Sequence, residues 1–126
     1  MKLKVSSCVV IFLMLLCCNQ WASAQTYTPG ISYLGTHGYT EYIPGSLPII
    51  ISAPHGGYLE PEVIPNRTCF DAVYATDAYT QELIRDIQNS IYAEFGCYAN
   101  VVINLLDRKK LDANRNLAEG ACGNDS

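Results

Sequence analysis

An unbroken apolar run stands near the middle of the chain, where residues 49–51 are three consecutive isoleucines. A β-branched run without polar alternation predicts a strand buried on both faces of a sheet. Pro54 is expected to end this strand, because proline has no N–H to donate to a neighbouring strand. The glycine pair at residues 56–57 predicts a turn. His55 is therefore expected just past the carboxyl end of a buried strand, where ligands bind in open α/β sheets.

A helical period follows this strand. Apolar residues recur at three- and four-residue steps over residues 77–95, which predicts an amphipathic helix. Its apolar face comprises Thr80, Leu83, Ile84, Ile87, Ile91 and Phe95. Thr76 or Asp77 is expected to cap its first turn, and Gly96 its last. A second apolar run at residues 98–106 predicts another buried strand, parallel to the first through a right-handed crossover.

The rest of the chain is less regular. Residues 25–45 are rich in Tyr, Thr and Gly and are expected to be irregular or to form short edge strands. Residues 58–76 form a long loop, and loops of that length within a compact domain are often functional. Together these elements predict a single α/β domain with a mixed or mostly parallel sheet flanked by helices.

The first 24 residues have the pattern of a secretory signal peptide. Lys2 and Lys4 give a basic start, residues 9–16 are apolar, and residues 22–24 read Ala-Ser-Ala, a small-residue cleavage site. A membrane anchor is the alternative, but the apolar run is shorter than the roughly 20 residues of a bilayer span. We expect cleavage before Gln25 and a secreted protein with no membrane span in the mature chain.

Charge narrows the possible partners. The chain has 8 basic and 12 acidic residues and a formal net charge of −4. Loss of the signal peptide removes two lysines and makes the mature chain more acidic. An acidic chain repels phosphate groups, so neither nucleic acid nor an anionic membrane is expected as a partner.

Three cysteines, Cys69, Cys97 and Cys122, follow the predicted signal peptide. They are expected to pair in an oxidising compartment, yet an odd number cannot all pair within one chain. We predict a bond between Cys69 and Cys97, which would close the hairpin around the helix, although Cys122 can replace either partner. The third thiol would be free, bonded to another molecule, or left without a partner further along the chain.

The sequence also predicts a modified and shortened product. Two N-glycosylation sequons, Asn66-Arg67-Thr68 and Asn124-Asp125-Ser126, indicate a glycoprotein. The second sequon ends on the last residue, and residues 123–126 complete no recognisable element. We therefore expect the chain to be a truncated gene product.

The loop after the second predicted strand comprises residues 107–115 and is rich in charged side chains. It is expected at the same edge of the sheet as His55. Taken alone, it has the composition of a solvated basic turn. However, Asn114 with Arg115 suits a carboxylate, because the guanidinium can hold it bidentately while the amide donates a further hydrogen bond. Asp112 can hold Arg115 or Arg108 in place, and Arg108 can then polarise a carbonyl. The imidazole of His55 is a ligand suited to Zn²⁺.

Four short motifs share their order and spacing with a known family. They are residues 51–57 (Ile-Ser-Ala-Pro-His-Gly-Gly), residues 64–67 (Ile-Pro-Asn-Arg), Asp77 with residues 80–83, and residues 108–115. Together they resemble the N-formylglutamate amidohydrolase family over residues 35–124. The resemblance implies a zinc exopeptidase (phosphorylase/hydrolase-like) core, similar to that of zinc carboxypeptidases and aspartoacylases, with residues 25–126 as its N-terminal part. It also implies a zinc hydrolase that cleaves an amide bond next to a free carboxylate.

The resemblance assigns roles to individual residues. It implies that His55 is a zinc ligand and that Arg108 polarises the scissile carbonyl. Asn114 and Arg115 would bind the carboxylate of a small-molecule substrate. Arg67, in the second motif, is also expected to contact substrate.

The sequence departs from the family's pattern at several ligand positions. The related carboxypeptidases carry a glutamate three residues after the first histidine ligand, where this chain has Tyr58. The second ligand is then Glu60 or Asp77, and Asp77 is favoured because it follows the family's pattern. The later histidine ligand is absent, and Glu119 is a poor substitute for the general base. Asn66 stands where an acid is expected before Arg67.

Two other classes of function compete with the hydrolase. A non-catalytic secreted binding domain would keep the carboxylate-binding loop without a competent metal site. A serine hydrolase is disfavoured, because Ser52 does not lie in a nucleophile elbow.

Overall fold

A computed structural model of the chain describes residues 25–122. Its elements, in chain order, are β1 (Tyr33–Leu34), β2 (Thr40–Ile43), β3 (Ile50–Ala53), α1 (Thr80–Phe95), β4 (Asn100–Asn104) and α2 (Leu117–Ala121). The predicted signal peptide and the sequon at residues 124–126 lie outside the described residues. Among residues 25–122, no helix has the length and apolar character needed to cross a membrane.

The strands form one mixed sheet in the order β1-β2-β4-β3. β3 and β4 are parallel, with Ile51 opposite Val101 and Ala53 opposite Ile103, and α1 connects them. β2 is antiparallel to β4, and β1 to β2. The predicted α/β class, the strand–helix–strand unit and the parallel pairing of its two strands are therefore confirmed.

β3 lies at one edge of the described sheet. The prediction of a strand buried on both faces is wrong, because part of the isoleucine run is exposed. Ile50 is 74% exposed and Ile49 is 45% exposed. A run of isoleucines indicates that burial of these side chains is favourable. How far they are exposed depends on which elements lie beside and over the strand. β2 differs in the opposite sense, because it pairs on both sides although its segment was expected to be irregular or at an edge.

The hydrophobic core lies between the sheet and α1. Its buried members come from three strands and the helix and are Ile43, Ala53, Ile84, Val101 and Ile103. Successive side chains of a strand point to opposite faces, so alternate residues of β4 reach the core. One turn after Ile84, Gln88 is also buried, and its amide donates to the carbonyl of Ala99 at 2.7 Å.

α1 begins three residues later than predicted and buries fewer of its apolar residues. Tyr79 precedes it with φ 63°, and no side chain caps the first turn, so the predicted cap by Thr76 or Asp77 is wrong. Gly96 ends the helix as predicted, in the left-handed conformation. Leu83 is 56% exposed, which leaves part of the predicted apolar face open.

Cys69 and Cys122 form the disulfide, with their Cα atoms 5.1 Å apart, and Cys97 is free. The predicted Cys69–Cys97 bond is therefore wrong. Cys97 lies before β4, at the amino end of the parallel strands, whereas the loop that holds Cys69 packs near their carboxyl ends. The observed bond spans 53 residues, and loop-closure entropy gives such a bond about 4 kcal/mol of stabilisation.

Candidate functional site

The carboxyl ends of β3 and β4 bring the turn that carries His55 next to the charged loop, as the parallel pairing predicts. Pairing continues beyond the two strands, because Gly57 forms a parallel bridge with Asp107. The buried Asn104, the last residue of β4, donates to the carbonyl of Pro54 at 2.9 Å. The backbone on both sides of His55 is therefore held against β4 and the loop that follows it.

Asp112 is the centre of the polar cluster at this edge. Its side chain is 1% exposed, and its Oδ1 lies 2.6 Å from Nε2 of His55. Its Oδ2 accepts a hydrogen bond from Nε of Arg108 at 3.0 Å and forms an ion pair with Nη2 of the same guanidinium at 2.9 Å. Guanidinium nitrogens of Arg67 and Arg115 lie 3.8 and 4.0 Å from the same oxygen. The predicted contact with Arg108 is confirmed, and the contact with His55 is new.

The pKa of Asp112 is lowered from its ordinary value of 3.8. Burial by itself raises the pKa, but hydrogen bonds from Arg108, His55 and the Asn114 amide, with the electrostatic attraction of His55, outweigh burial. The carboxyl group is therefore ionised at neutral pH and can only accept hydrogen bonds. Its contact with His55 thus places a proton on Nε2, and a neutral ring then carries its lone pair on Nδ1.

Asp77 faces that second nitrogen. Its Oδ2 lies 3.4 Å from Nδ1 of His55, and its side chain is 54% exposed. Its backbone N–H donates to the carbonyl of His55 at 3.1 Å, which ties the start of the helix segment to the turn. Glu60, the other candidate for the second ligand, instead binds Nζ of Lys109 at 2.9 Å.

His55 and Asp77 fit two positions of a zinc ion. Two protein ligands at about 2.1 Å from a tetrahedral zinc lie about 3.4 Å apart, which matches the separation of Nδ1 and Oδ2. The bond from Nε2 to Asp112 is of the same kind as the contact that ligating histidines make to an outer carboxylate. Within residues 25–122, no group of three or more His, Cys, Asp or Glu side chains is arranged to hold a metal ion.

Arg108 and Arg67 are held largely by internal contacts. The Arg108 side chain is 12% exposed and, besides binding the buried carboxylate, donates to the carbonyl of Ala75 at 3.2 Å. Arg67 is 4% exposed, and its guanidinium donates to the carbonyls of Val73, Arg108 and Glu119. Both residues therefore join loops, and their proposed contacts with substrate stay predictions.

Asn114 and Arg115 lie on the open side of the cluster. The Arg115 side chain is 52% exposed and borders a cavity of about 80 Å³ that Arg67 and Asp112 also line. The backbone N–H of Asn114 donates to Oδ1 of Asp112 at 3.2 Å, which shapes the turn. The exposed half of the Arg115 side chain can be reached from solvent, beside a cavity that Asp71 and Glu119 also line.

Two residues that hold the His55 turn were not predicted as part of the site. Asn104 is a polar residue within the apolar run at residues 98–106, and that interruption was its only signal. Gln81, whose side-chain amide donates to the carbonyl of Gly56, lies within the motif at residues 80–83, but no role was predicted for it. No protein-family model, curated protein or solved structure matches the chain.

Proposed function

We propose that the protein is a secreted zinc-dependent amidohydrolase that cleaves an N-acyl amino acid or a small peptide-like amide next to a free carboxylate. One observation carries the proposal. A buried carboxylate fixes one nitrogen of His55, while the other nitrogen faces Asp77 and an exposed Arg115 lies across the same sheet edge. The resemblance to the N-formylglutamate amidohydrolase family supports it, together with the zinc exopeptidase core that the resemblance implies.

Each residue of the cluster has a distinct task in this proposal. Bound zinc would polarise the scissile carbonyl and activate water, and His55 with Asp77 would hold it. Asp112 keeps the proton of His55 on Nε2, so that Nδ1 is available as a ligand. Arg108 would stabilise negative charge that develops on the carbonyl oxygen.

The free carboxylate would be recognised by the loop that follows β4. The planar fork of Arg115 can donate two parallel hydrogen bonds to a carboxylate, and the amide of Asn114 can add a third. Because Asp112 binds both the imidazole of His55 and the N–H of Asn114, it would set the distance between the reacting bond and the substrate carboxylate.

A non-catalytic secreted binding domain is the second candidate. It is favoured by the contacts of Arg108, whose guanidinium already binds Asp112 and the carbonyl of Ala75. Such a domain would keep the carboxylate-binding loop and would need no metal. Zinc content therefore separates the two candidates.

Replacing His55 by alanine should abolish zinc binding and hydrolysis together. Loss of an outer contact to a metal ligand costs about 10–100-fold in affinity, so loss of the ligand itself should exceed that range. Zinc stoichiometry would be measured on the secreted protein at equilibrium with free zinc. Glu60→Ala is the matched control and should keep full zinc content, because Glu60 binds Lys109. Full zinc content in His55→Ala would leave the binding domain as the better proposal.

Arg115→Lys should weaken substrate binding while leaving zinc content unchanged. Lysine keeps the charge but loses the planar fork, and loss of a hydrogen bond to a charged group predicts a rise in KM of about 10-fold or more. The measurement is hydrolysis of N-acyl amino acids beside the matching amides, which lack the free carboxylate. Equal turnover of acid and amide by the unaltered protein would remove this role from Asn114 and Arg115.

A further inference from the structure

We infer that Asn66 is a glycosylation site whose modification competes with closure of the Cys69–Cys122 disulfide, so that the glycan is added only before the loop folds. The sequon Asn66-Arg67-Thr68 directly precedes Cys69. Its last two residues are bound to the segments that folding brings around them. Sequon recognition and disulfide closure therefore require different arrangements of the same few residues.

Arg67, the middle residue of the sequon, is held in place by several hydrogen bonds. It is 4% exposed, and its backbone N–H donates to the carbonyl of Lys109 at 2.7 Å. Its own carbonyl accepts a hydrogen bond from the hydroxyl of Tyr74 at 3.0 Å. With its guanidinium also bound to three carbonyls, this residue cannot turn toward an enzyme without breaking several buried contacts.

Thr68 is held by the residue that forms the disulfide. Its hydroxyl donates to the carbonyl of Cys122 at 3.2 Å, and the next residue, Cys69, is bonded to that same cysteine. The hydroxyl group at this position defines a sequon, so the modifying enzyme must reach it. In the oxidised fold, access would require breaking the contact with Cys122.

Asn66, like Thr68, is exposed, whereas Arg67 between them is buried. Asn66 borders an open cavity lined by Arg67, Tyr74 and Lys109. A glycan attached beforehand would thus lie outside the folded loop and would leave the disulfide free to form. Modification followed by folding is allowed, whereas folding followed by modification is blocked.

Glycosylation of Asn66 and closure of the Cys69–Cys122 disulfide are the two competing reactions in the secretory pathway. Nδ2 of Asn66 bonds to C1 of an oligosaccharide on a lipid diphosphate, the C1–O bond breaks, the lipid diphosphate leaves, and an amide proton passes to solvent. In closure, the thiols of Cys69 and Cys122 transfer two electrons and two protons to a protein disulfide, which becomes a dithiol. Both reactions belong to the oxidising compartment that the predicted signal peptide implies.

The test is expression of the full chain in secreting eukaryotic cells, with Asn124→Gln to remove the second sequon. Occupancy is the fraction of newly made chain, in whole-cell extract, whose gel mobility shifts on removal of N-glycans. Because whole-cell extract is used, the occupancy of variants that misfold and are not secreted is measured as well. We expect partial occupancy in this background and a higher fraction when Cys122→Ser is added. Cys97→Ser is the matched control and should leave occupancy unchanged, because Cys97 is free.

Two further arms complete the test. The double variant Cys97→Ser, Cys122→Ser should match Cys122→Ser, which excludes a substitute bond between Cys69 and Cys97. A thiol reductant present during synthesis should raise occupancy of the unaltered cysteine set to the level of Cys122→Ser. Asn66→Gln should abolish the shift. No shift in any variant would overturn the site, and equal occupancy with and without Cys122 would overturn the competition.

Discussion

Replacing Asp112 by alanine is expected to lower the free energy of unfolding by about 3–5 kcal/mol, the range for removal of one partner from a buried ion pair. The carboxylate binds His55 and Arg108 directly and lies within 4.0 Å of nitrogens of Arg67 and Arg115. Among residues 25–122, its loss would leave the buried guanidinium of Arg67 and the largely buried one of Arg108 without an ion-pair partner. Denaturant unfolding of the secreted protein measures the change.

Asp86→Ala is the matched control for this substitution. Asp86 is an exposed aspartate on α1, and surface changes of this kind alter the free energy of unfolding by about 0.5 kcal/mol or less. An Asp112→Ala loss no larger than that of Asp86→Ala would show that the carboxylate does not hold the loops together.

The same carboxylate determines part of the acid sensitivity of the fold. The pKa of Asp112 in the folded protein lies below its ordinary value of 3.8. Its stabilisation is therefore fully present above that ordinary value and is lost as the pH falls through the folded pKa. Asp112→Asn cannot titrate, so its unfolding free energy should fall less between pH 4 and pH 2 than that of the unaltered protein, measured by denaturation across that range.

Replacing Gly57 by alanine is expected to cost about 3 kcal/mol or more in the free energy of unfolding, at the upper end of overpacking effects. A Cβ atom on Gly57 would overlap backbone atoms of Leu105 and Leu106. Backbone atoms cannot rotate aside as the end of a flexible side chain does, so the paired segments would have to separate. These are the segments that bring His55 to Asp112.

Gly35→Ala provides the control, because a Cβ on Gly35 would meet Thr40 at 3.6 Å, an ordinary contact. Thermal unfolding of both variants would measure the difference in stability. The NMR signals of the His55 imidazole would report whether its contact with Asp112 survives. A Gly57→Ala protein as stable as Gly35→Ala would show that the two segments are not packed at this position.

Local sequence determined the elements that depend on neighbouring residues. The strand that ends before Pro54, the helix that ends at Gly96 and the parallel strand after it were predicted, because side-chain periodicity and the limits of proline and glycine act within a few residues. The strand–helix–strand order was also enough to place His55 and the Arg108 loop at one edge of the sheet.

Only the tertiary structure decided which distant residues meet. Asp112 and His55 are 57 residues apart, and Cys69 and Cys122 are 53 apart, so their contacts depend on the paths of loops that have no periodicity. The 74% exposure of Ile50 likewise depends on which elements pack over the faces of β3 within residues 25–122, and local sequence does not determine that. The hydrophobicity of a side chain determines whether its burial is favourable. Strand order and the paths of the loops determine which residues it contacts.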